Sequence, residues 1–201
     1  MSRIVIIGDT AAPPYHPLDV VFPLSKLLCD DDLIFTNDYD FFTKLNEFDL
    51  FVCAVDAWFK ELSDAQAAAL KDYLSNGGKM LSIHTGMSIQ ATKELDKVHG
   101  AKFLDHPPYE RLLINVKKGH QLTEGVSDFY VDDEPYHFEI YEDFEIFASY
   151  EFNGKTIPAA WMKDYGKGKL IYLMPGHDQA AFGCDEYLKL IKNCVGYLTG
   201  I

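Results

Sequence analysis

Four side chains carry the chemistry this sequence can do: His84, His177, Glu134 and Tyr136. His84 directly follows the short apolar run Met80 to Ile83, and Thr85-Gly86 follows it. A strand, a tight turn and a helix in that order make an elbow, which pushes one side chain out at the carboxyl edge of a sheet. A cysteine or serine at that point would be an acyl nucleophile; a histidine is not. His177 stands in a similar relation to the apolar run Leu170 to Met174, with Pro175-Gly176 between them. Glu134 and Tyr136 belong to the dense stretch Asp132-Asp133-Glu134-Pro135-Tyr136-His137. In an extended chain Glu134 and Tyr136 share one face, and Asp133 and His137 the other. Two histidines and a carboxylate are the donor types of a divalent metal such as zinc. They serve equally for general acid–base work on a neutral polar substrate. The spacing matches no compact metal motif such as HExxH, so the cofactor stays open; if a metal is held, its ligands are His84, Glu134 and His177. Plainer roles also stand: His84 could cap the next helix, Tyr136 could be core, and Asp132 to Glu134 could be a solvated turn.

The elements that must position these groups read as an α/β protein. Arg3 to Ile7 is a β-branched run that ends in Gly8-Asp9-Thr10, the way doubly wound domains begin. Leu33 to Thr36 and Asp49 to Ala54 read as further strands. Ser63 is an N-cap for an alanine-rich helix over Ala65 to Leu74 that stops at Asn76-Gly77. Leu18 to Cys29 has near-helical spacing broken by Pro23, Asp38 to Phe48 is a mixed connector, and Met87 to Val98 is read as the helix after the elbow. Beyond Gly100 the pattern turns to strands, at Arg111 to Val116, Phe129 to Val131, Phe144 to Tyr150 and Ile157 to Met162. Asn153-Gly154 marks a hairpin among them. Asp185 to Leu198 is a closing amphipathic helix. The expected fold is a doubly wound, flavodoxin-like, mostly parallel sheet with helices on both faces and an antiparallel extension in the C-terminal half. No linker divides the chain, so 1–201 is expected to be one domain.

Ligands of open α/β sheets sit outside the carboxyl ends of the strands. Asp9, His16, His106 and Asp178 are therefore the candidate substrate-binding residues beside the four named first. The proline-rich loop Ala11 to Pro17 is expected to lie over that edge. The formal net charge of -13 argues against nucleic acid and anionic membrane as partners. No apolar run is long enough to span a bilayer, and the amino terminus does not read as a signal peptide, so a cytoplasmic location is expected. Cys29, Cys53, Cys184 and Cys194 show no CxxC spacing and are expected to be free thiols. No GxGxxG or Walker-type loop supports nucleotide binding.

The chain resembles the trehalose-utilisation (ThuA-like) family, a branch of the class I glutamine amidotransferase-like fold. The resemblance rests on an ordered set of short pieces. They are Gly77-Gly78 with Leu81-Ser82-Ile83-His84, Gly100-Ala101-Lys102-Phe103 with His106-Pro107, and Gly119 to Gly125. Asp133-Glu134-Pro135-Tyr136, Pro158-Ala159-Ala160-Trp161, and Tyr165 to Lys169 with Pro175-Gly176-His177 complete it. It runs from about Gly77 to His177, and the region before Gly77 matches only as the start of an α/β fold. In amidotransferases of this fold the elbow carries cysteine, and a late strand is followed by His-x-Glu. Here His84 and Gln179 stand at the elbow and at the glutamate position, so the resemblance implies no glutaminase activity. Gln121 stands where the family tends to have proline after His120.

The family's name implies carbohydrate metabolism. The reading that follows is binding, isomerisation or hydrolysis of a sugar or oxidised sugar derivative in a carboxyl-edge pocket. His84 or His177 would shuttle a proton with Glu134, and Tyr15, Trp58 and Tyr136 would stack on the ring. Two alternatives stand beside it: a non-catalytic assembly or regulatory module that keeps the fold, homo-oligomeric contacts included, and a metal-dependent hydrolase. Convergence of the histidine and glutamate side chains separates the first of these from the enzyme.

Overall fold

The computed structural model describes residues 1–10 and 15–200. In chain order its elements are β1 (Arg3–Gly8), α1 (Leu24–Leu27), β2 (Asp32–Thr36), β3 (Leu50–Ala54), α2 (Asp64–Ser75) and β4 (Lys79–Ile83). β5 (Ala101–Asp105), β6 (Glu110–Val116), β7 (Phe129–Asp133), β8 (His137–Ile140), β9 (Glu145–Phe152), β10 (Lys155–Tyr165), β11 (Gly168–Leu173) and α3 (Asp185–Thr199) follow. Nine strands form one sheet in the order β2-β1-β3-β4-β11-β10-β9-β6-β7. The first five are mutually parallel. The rest pair antiparallel, β10 joining them to β11. This is the expected doubly wound sheet with its antiparallel extension. β5 and β8 form a separate two-stranded ladder that sequence reading did not foresee, because each is short and pairs only with the other.

The parallel strands are apolar without alternation because both of their faces are covered. Ile4 to Ile7 and Leu50 to Cys53 are completely buried, and α2 packs against β11 while α3 packs against β3 and β4. Ser63 starts α2 with a reciprocal capping box: its hydroxyl accepts from the Gln66 amide, and Gln66 accepts from the Ser63 amide. Asn153 and Gly154 both have positive φ, 49° and 73°, the backbone that a two-residue β9–β10 hairpin requires.

Two helical readings are corrected. Pro23 splits Leu18 to Cys29 into a 3-10 turn over Leu18–Val21 and the single-turn α1. Met87 to Val98 is not an α-helix but two 3-10 segments, His84–Ala91 and Lys93–Leu95. The cause is local. The segment from His84 to Gln90 is buried throughout, so no polar face is available to an amphipathic helix. Ser88 Oγ also donates to the Val55 carbonyl and accepts from the Ala57 amide, holding the turn to the β3 loop.

The elbow itself forms as expected. His84 has φ 43°, a left-handed conformation that costs a non-glycine residue about 1–2 kcal/mol. Its turn closes because Gly86 brings the chain against the strand beside it. A Cβ on Gly86 would lie 2.5 Å from Ser82 Oγ and closer still to the Cys53 carbonyl oxygen. Cys53 is a buried strand residue whose thiol burial pushes up to about 12. All four cysteines are free, as expected, with Cys29 exposed. Among the described residues no helix is long and apolar enough to cross a membrane.

Behind the elbow strand, His99 Nε2 lies 2.8 Å from Ser82 Oγ, and its carbonyl accepts from Trp161 Nε1 at 2.9 Å. Burial, aided by Lys163, lowers the pKa of this ring to about 3. The unfolded chain takes up that proton near pH 6.5, and the folded chain only near 3. The stability that depends on the neutral ring is therefore complete above the unfolded value and is lost as pH falls towards the folded one. We expect the unfolding free energy of wild type to fall more steeply than that of His99→Gln through this window, by up to about 1.4 kcal/mol per pH unit. Parallel slopes in denaturant titrations would refute it. Gly86→Ala should cost about 1–3 kcal/mol through overpacking against the Cys53 carbonyl, and an unchanged melting temperature would show that the turn can shift to admit a methyl group.

Candidate functional site

Chain segments at and beyond the carboxyl edge bring the functional groups together. After β1, Asp9 accepts from the Tyr39 hydroxyl and the Asp56 amide, each at 2.8 Å. The Asp9 carbonyl accepts from the Leu18 amide at 2.7 Å, which returns the loop to the sheet and sets His16 over it. Residues 11–14 of that loop lie outside the described residues. After β3, Asp56 Oδ2 accepts from the Tyr15 and His16 amides at 2.8 and 3.2 Å and lies 3.3 Å from His16 Nδ1. After β4 comes His84. After β11, Gly176 has φ 142°, and a Cβ there would meet the Ile83 side chain at 2.7 Å. This close approach seats His177 beside the elbow. From the antiparallel half, β7 ends at Asp133, whose Oδ2 accepts from the Gly176 and His177 amides at 2.7 and 3.3 Å. That tie delivers Glu134 and Tyr136 to the same place.

The result is one cluster. The donor atoms of His16, His84, Glu134 and His177 all lie within 4.8 Å of one another. His16 Nε2 is 3.2 Å from His84 Nε2 and 3.1 Å from His177 Nδ1. Glu134 Oε2 is 3.5 Å from His84 Nε2 and 3.3 Å from His177 Nδ1. The Tyr136 hydroxyl is 2.8 Å from His84 Nε2. His84 Nδ1 is 2.7 Å from the Met174 carbonyl, which can only accept, so Nδ1 carries the proton and the Nε2 of the neutral ring presents a lone pair. The Asp56 carboxylate fixes the His16 ring in the same sense.

Burial pushes the His16 pKa down, against the pull of Asp56. His177 is raised, first by its hydrogen bond to Glu134. For Glu134, burial favours the neutral acid, but its interactions with the neighbouring histidines, the hydrogen bond to His177 foremost, outweigh it and hold the carboxyl well below its usual range. Burial keeps the Tyr136 phenol protonated far above its ordinary range, with Glu134 and Asp133 adding to the effect. The cluster therefore contains a carboxylate base, a phenol that keeps its proton, and three ring nitrogens that could share a cation.

The cluster forms one end of a cavity of about 670 Å³ whose other walls are aromatic and amide side chains, Tyr15, Trp58, Phe103 and Gln90 among them. Trp58 and Phe103 lie with ring centroids 5.7 Å apart. The structure thus brings His84, His177, Glu134 and Tyr136 together, with His16 at their centre rather than at the rim. His106 lines the cavity, its Nδ1 3.5 Å from Glu134 Oε1. Two of the candidate substrate-binding residues, Asp9 and Asp178, do not line the cavity. Asp9 is buried behind the site as the support of Asp56, its carboxylate engaged by Tyr39. Asp178 lies outside the cavity lining, accepting from the Tyr109 hydroxyl at 3.0 Å and the Ala180 amide at 2.7 Å. His137 faces away and pairs with Asp105. His120 is buried elsewhere and caps a turn through the Leu122 amide.

Sequence reading missed Asp56 and the inward turn of Asp133. Asp56 had a usable signal, a carboxylate just past the buried β3. Asp133 had a misleading one. It was grouped with His137 on a shared face, but the strand ends at Asp133 and the alternation ends with it.

Comparison with known proteins follows the same lines. A protein described as ThuA-like from Parabacteroides merdae superposes with TM-score 0.81 at 16% identity, covering 99% of this chain and 90% of its own. Another from Bacteroides uniformis gives TM-score 0.78 at 19% identity, with 98% and 90% covered. A cytoplasmic protein from Salmonella typhimurium gives 0.67 at 15%, with 97% and 98% covered. These similarities speak for the fold. No curated protein matches the chain. The model of the ThuA family, described as trehalose utilisation, matches residues 31–198, which extends the resemblance well upstream of Gly77. The chain belongs to the ThuA, or trehalose-utilisation, family.

Proposed function

We propose that this protein binds a sugar or an oxidised sugar derivative in the carboxyl-edge cavity and converts it by acid–base chemistry, in the cytoplasm. One observation carries the reading: Glu134, Tyr136 and three histidines converge beside a cavity that Tyr15, Trp58 and Phe103 also line. Aromatic walls take the apolar face of a pyranose ring, and the polar end takes its hydroxyls or carbonyl. Such convergence favours an enzyme over an assembly module. The family's description supports a sugar, and the cytoplasmic Salmonella protein of the same fold supports the location.

On a keto derivative the roles follow from the ionisation states. The Glu134 carboxylate takes the proton from the carbon beside the carbonyl, and the electron pair moves to the carbonyl oxygen. Tyr136 bears a proton that burial makes hard to lose. Its O–H, which points at His84 Nε2, turns about the C–O bond to donate to that oxygen. Where that first carbon carries a hydroxyl, transfer of the hydroxyl proton to the former carbonyl oxygen and return of the Glu134 proton to the former carbonyl carbon complete an isomerisation. His84 cannot act as a thiolate would, and buried Cys53 lies in the strand beneath.

Trehalose, glucose and their keto derivatives, titrated by calorimetry and followed by NMR in D2O, test this. We expect saturable binding of at least one of them, and exchange of the proton beside a ketone. Exchange should fall by about 100-fold or more in Glu134→Gln and Tyr136→Phe, with binding weakened far less. Equal exchange in both variants, or no binding at millimolar ligand, would remove the proposal. Incubation with glutamine should release no ammonia above buffer.

A further inference from the structure

We infer that His16, His84, His177 and Glu134 form a binding site for one divalent transition-metal ion, with zinc as its natural probe. The inference shares the cavity with the reading above and rests on that reading only for what the ion would do there. Binding of the ion is argued from the four side chains alone.

The first argument is hydrogen-bond accounting. The Met174 carbonyl places the proton of His84 on Nδ1, and Asp56 places that of His16 on Nδ1. Two lone pairs then face each other across 3.2 Å between the Nε2 atoms. The Tyr136 hydroxyl can donate to one of them, that of His84. A proton on His177 Nδ1 has both His16 Nε2 and Glu134 Oε2 to serve, at 3.1 and 3.3 Å. Among the described residues the cluster therefore has more acceptors than donors, which is the composition of a cation site.

The second argument is shape. Ligand atoms about 2.0–2.2 Å from a tetrahedral zinc are about 3.3–3.6 Å from one another. Four of the six separations in this set are 3.1, 3.2, 3.3 and 3.5 Å. The remaining two, His16 to Glu134 and His84 to His177, stay within 4.8 Å, so the four atoms close a ring of the size that surrounds one ion. His16, Glu134 and His177 line the cavity, so an ion held by them would be within reach of a ligand there.

The third argument is support behind the ligands. Metal-bound histidines are oriented by a carbonyl or carboxylate on the opposite ring nitrogen. His16 has Asp56, and His84 has the Met174 carbonyl with Asp133 Oδ1 at 3.5 Å. His177 is positioned through its backbone amide by Asp133 instead. His16 and His84 are buried, and the Glu134 side chain is only 13% exposed, so the donors are held in place before an ion arrives. Three imidazoles and one carboxylate suit zinc, iron, nickel or copper better than calcium or magnesium. With the ion bound, Glu134 Oε1, beside His106, is the oxygen left free to take a proton.

The test uses the full chain stripped with a chelator and titrated with zinc alone, then with cobalt(II), whose visible absorption reports tetrahedral nitrogen and oxygen ligands. We expect one ion per chain, a higher melting temperature on binding, and at least a tenfold loss of affinity in each of His16→Gln, His84→Gln and His177→Gln. His137→Ala, an exposed histidine outside the set, should bind as wild type does. Melting of each variant without metal separates loss of ligand from loss of fold, and a variant that does not fold is replaced by its Asn counterpart. Substoichiometric binding, or affinity unchanged in folded His16 and His84 variants, would overturn the site. Sugar titration of the stripped protein is read separately, so a cavity that takes sugar without metal, or metal without sugar, shows which of the two proposals has failed.

Discussion

The backbone of His84 is the constraint on which the site depends. A buried residue with a β-carbon sits in the left-handed region at the end of the central strand, and the surrounding structure has to hold it there. It is held from several directions. Its carbonyl accepts from the Tyr172 hydroxyl at 3.1 Å, its ring from Nδ1 donates to the Met174 carbonyl, and Gly86 and Gly176 remove the β-carbons that would push it away. Tyr172 and Met174 belong to or directly follow the strand that also leads to His177. The strain at the elbow is therefore offset by the strand that carries the second histidine, and the two rings are positioned together.

This arrangement explains why the antiparallel half matters to a site that sits on the parallel half. β7 pairs with no parallel strand, yet it ends in Asp133, fully buried beneath the loop after β11. Asp133 holds the Gly176 and His177 amides with one oxygen and the Glu134 amide with the other. A single carboxylate thus fixes both the late histidine and the glutamate that it faces. The extension of the sheet is the means by which a carboxylate reaches an edge otherwise supplied by parallel strands.

The legible part of the sequence was the part governed by short-range pattern. The apolar runs at Arg3 to Ile7, Asp49 to Ala54 and Leu170 to Met174, the Ser63 cap and the Asn153-Gly154 hairpin each depend on neighbours within a few residues, and each formed. His84 and His177 were readable because both directly follow such runs. What failed depends on partners distant in the chain. Met87 to Val98 has helical spacing, but the burial of its start through Gln90 and the bonds of Ser88 to the β3 loop draw it into 3-10 turns. Asp9 looked like a ligand-facing group because it follows a strand, and only the fold shows Tyr39 and Asp56 occupying it. His16 counts in the sequence only as a candidate substrate-binding residue; its place among the other histidines depends on Asp56, 40 residues further on.

Charge balance suits a histidine at the elbow. A thiolate needs positive surroundings, whereas this elbow is backed by carboxylates at Asp56, Asp133 and Glu134. Burial alone would make Asp133 costly. Its pKa is raised by that burial, although His84 and three backbone amides pull the other way. Glu134, whose carboxyl is held below its usual range, supplies the fixed negative charge beside the rings of the cluster. Fixed negative charge favours whatever cation those rings share, proton or metal, and disfavours an anionic nucleophile at the elbow. The carboxyl groups of Asp56, Asp133 and Glu134 therefore suit a histidine at the elbow better than a thiolate.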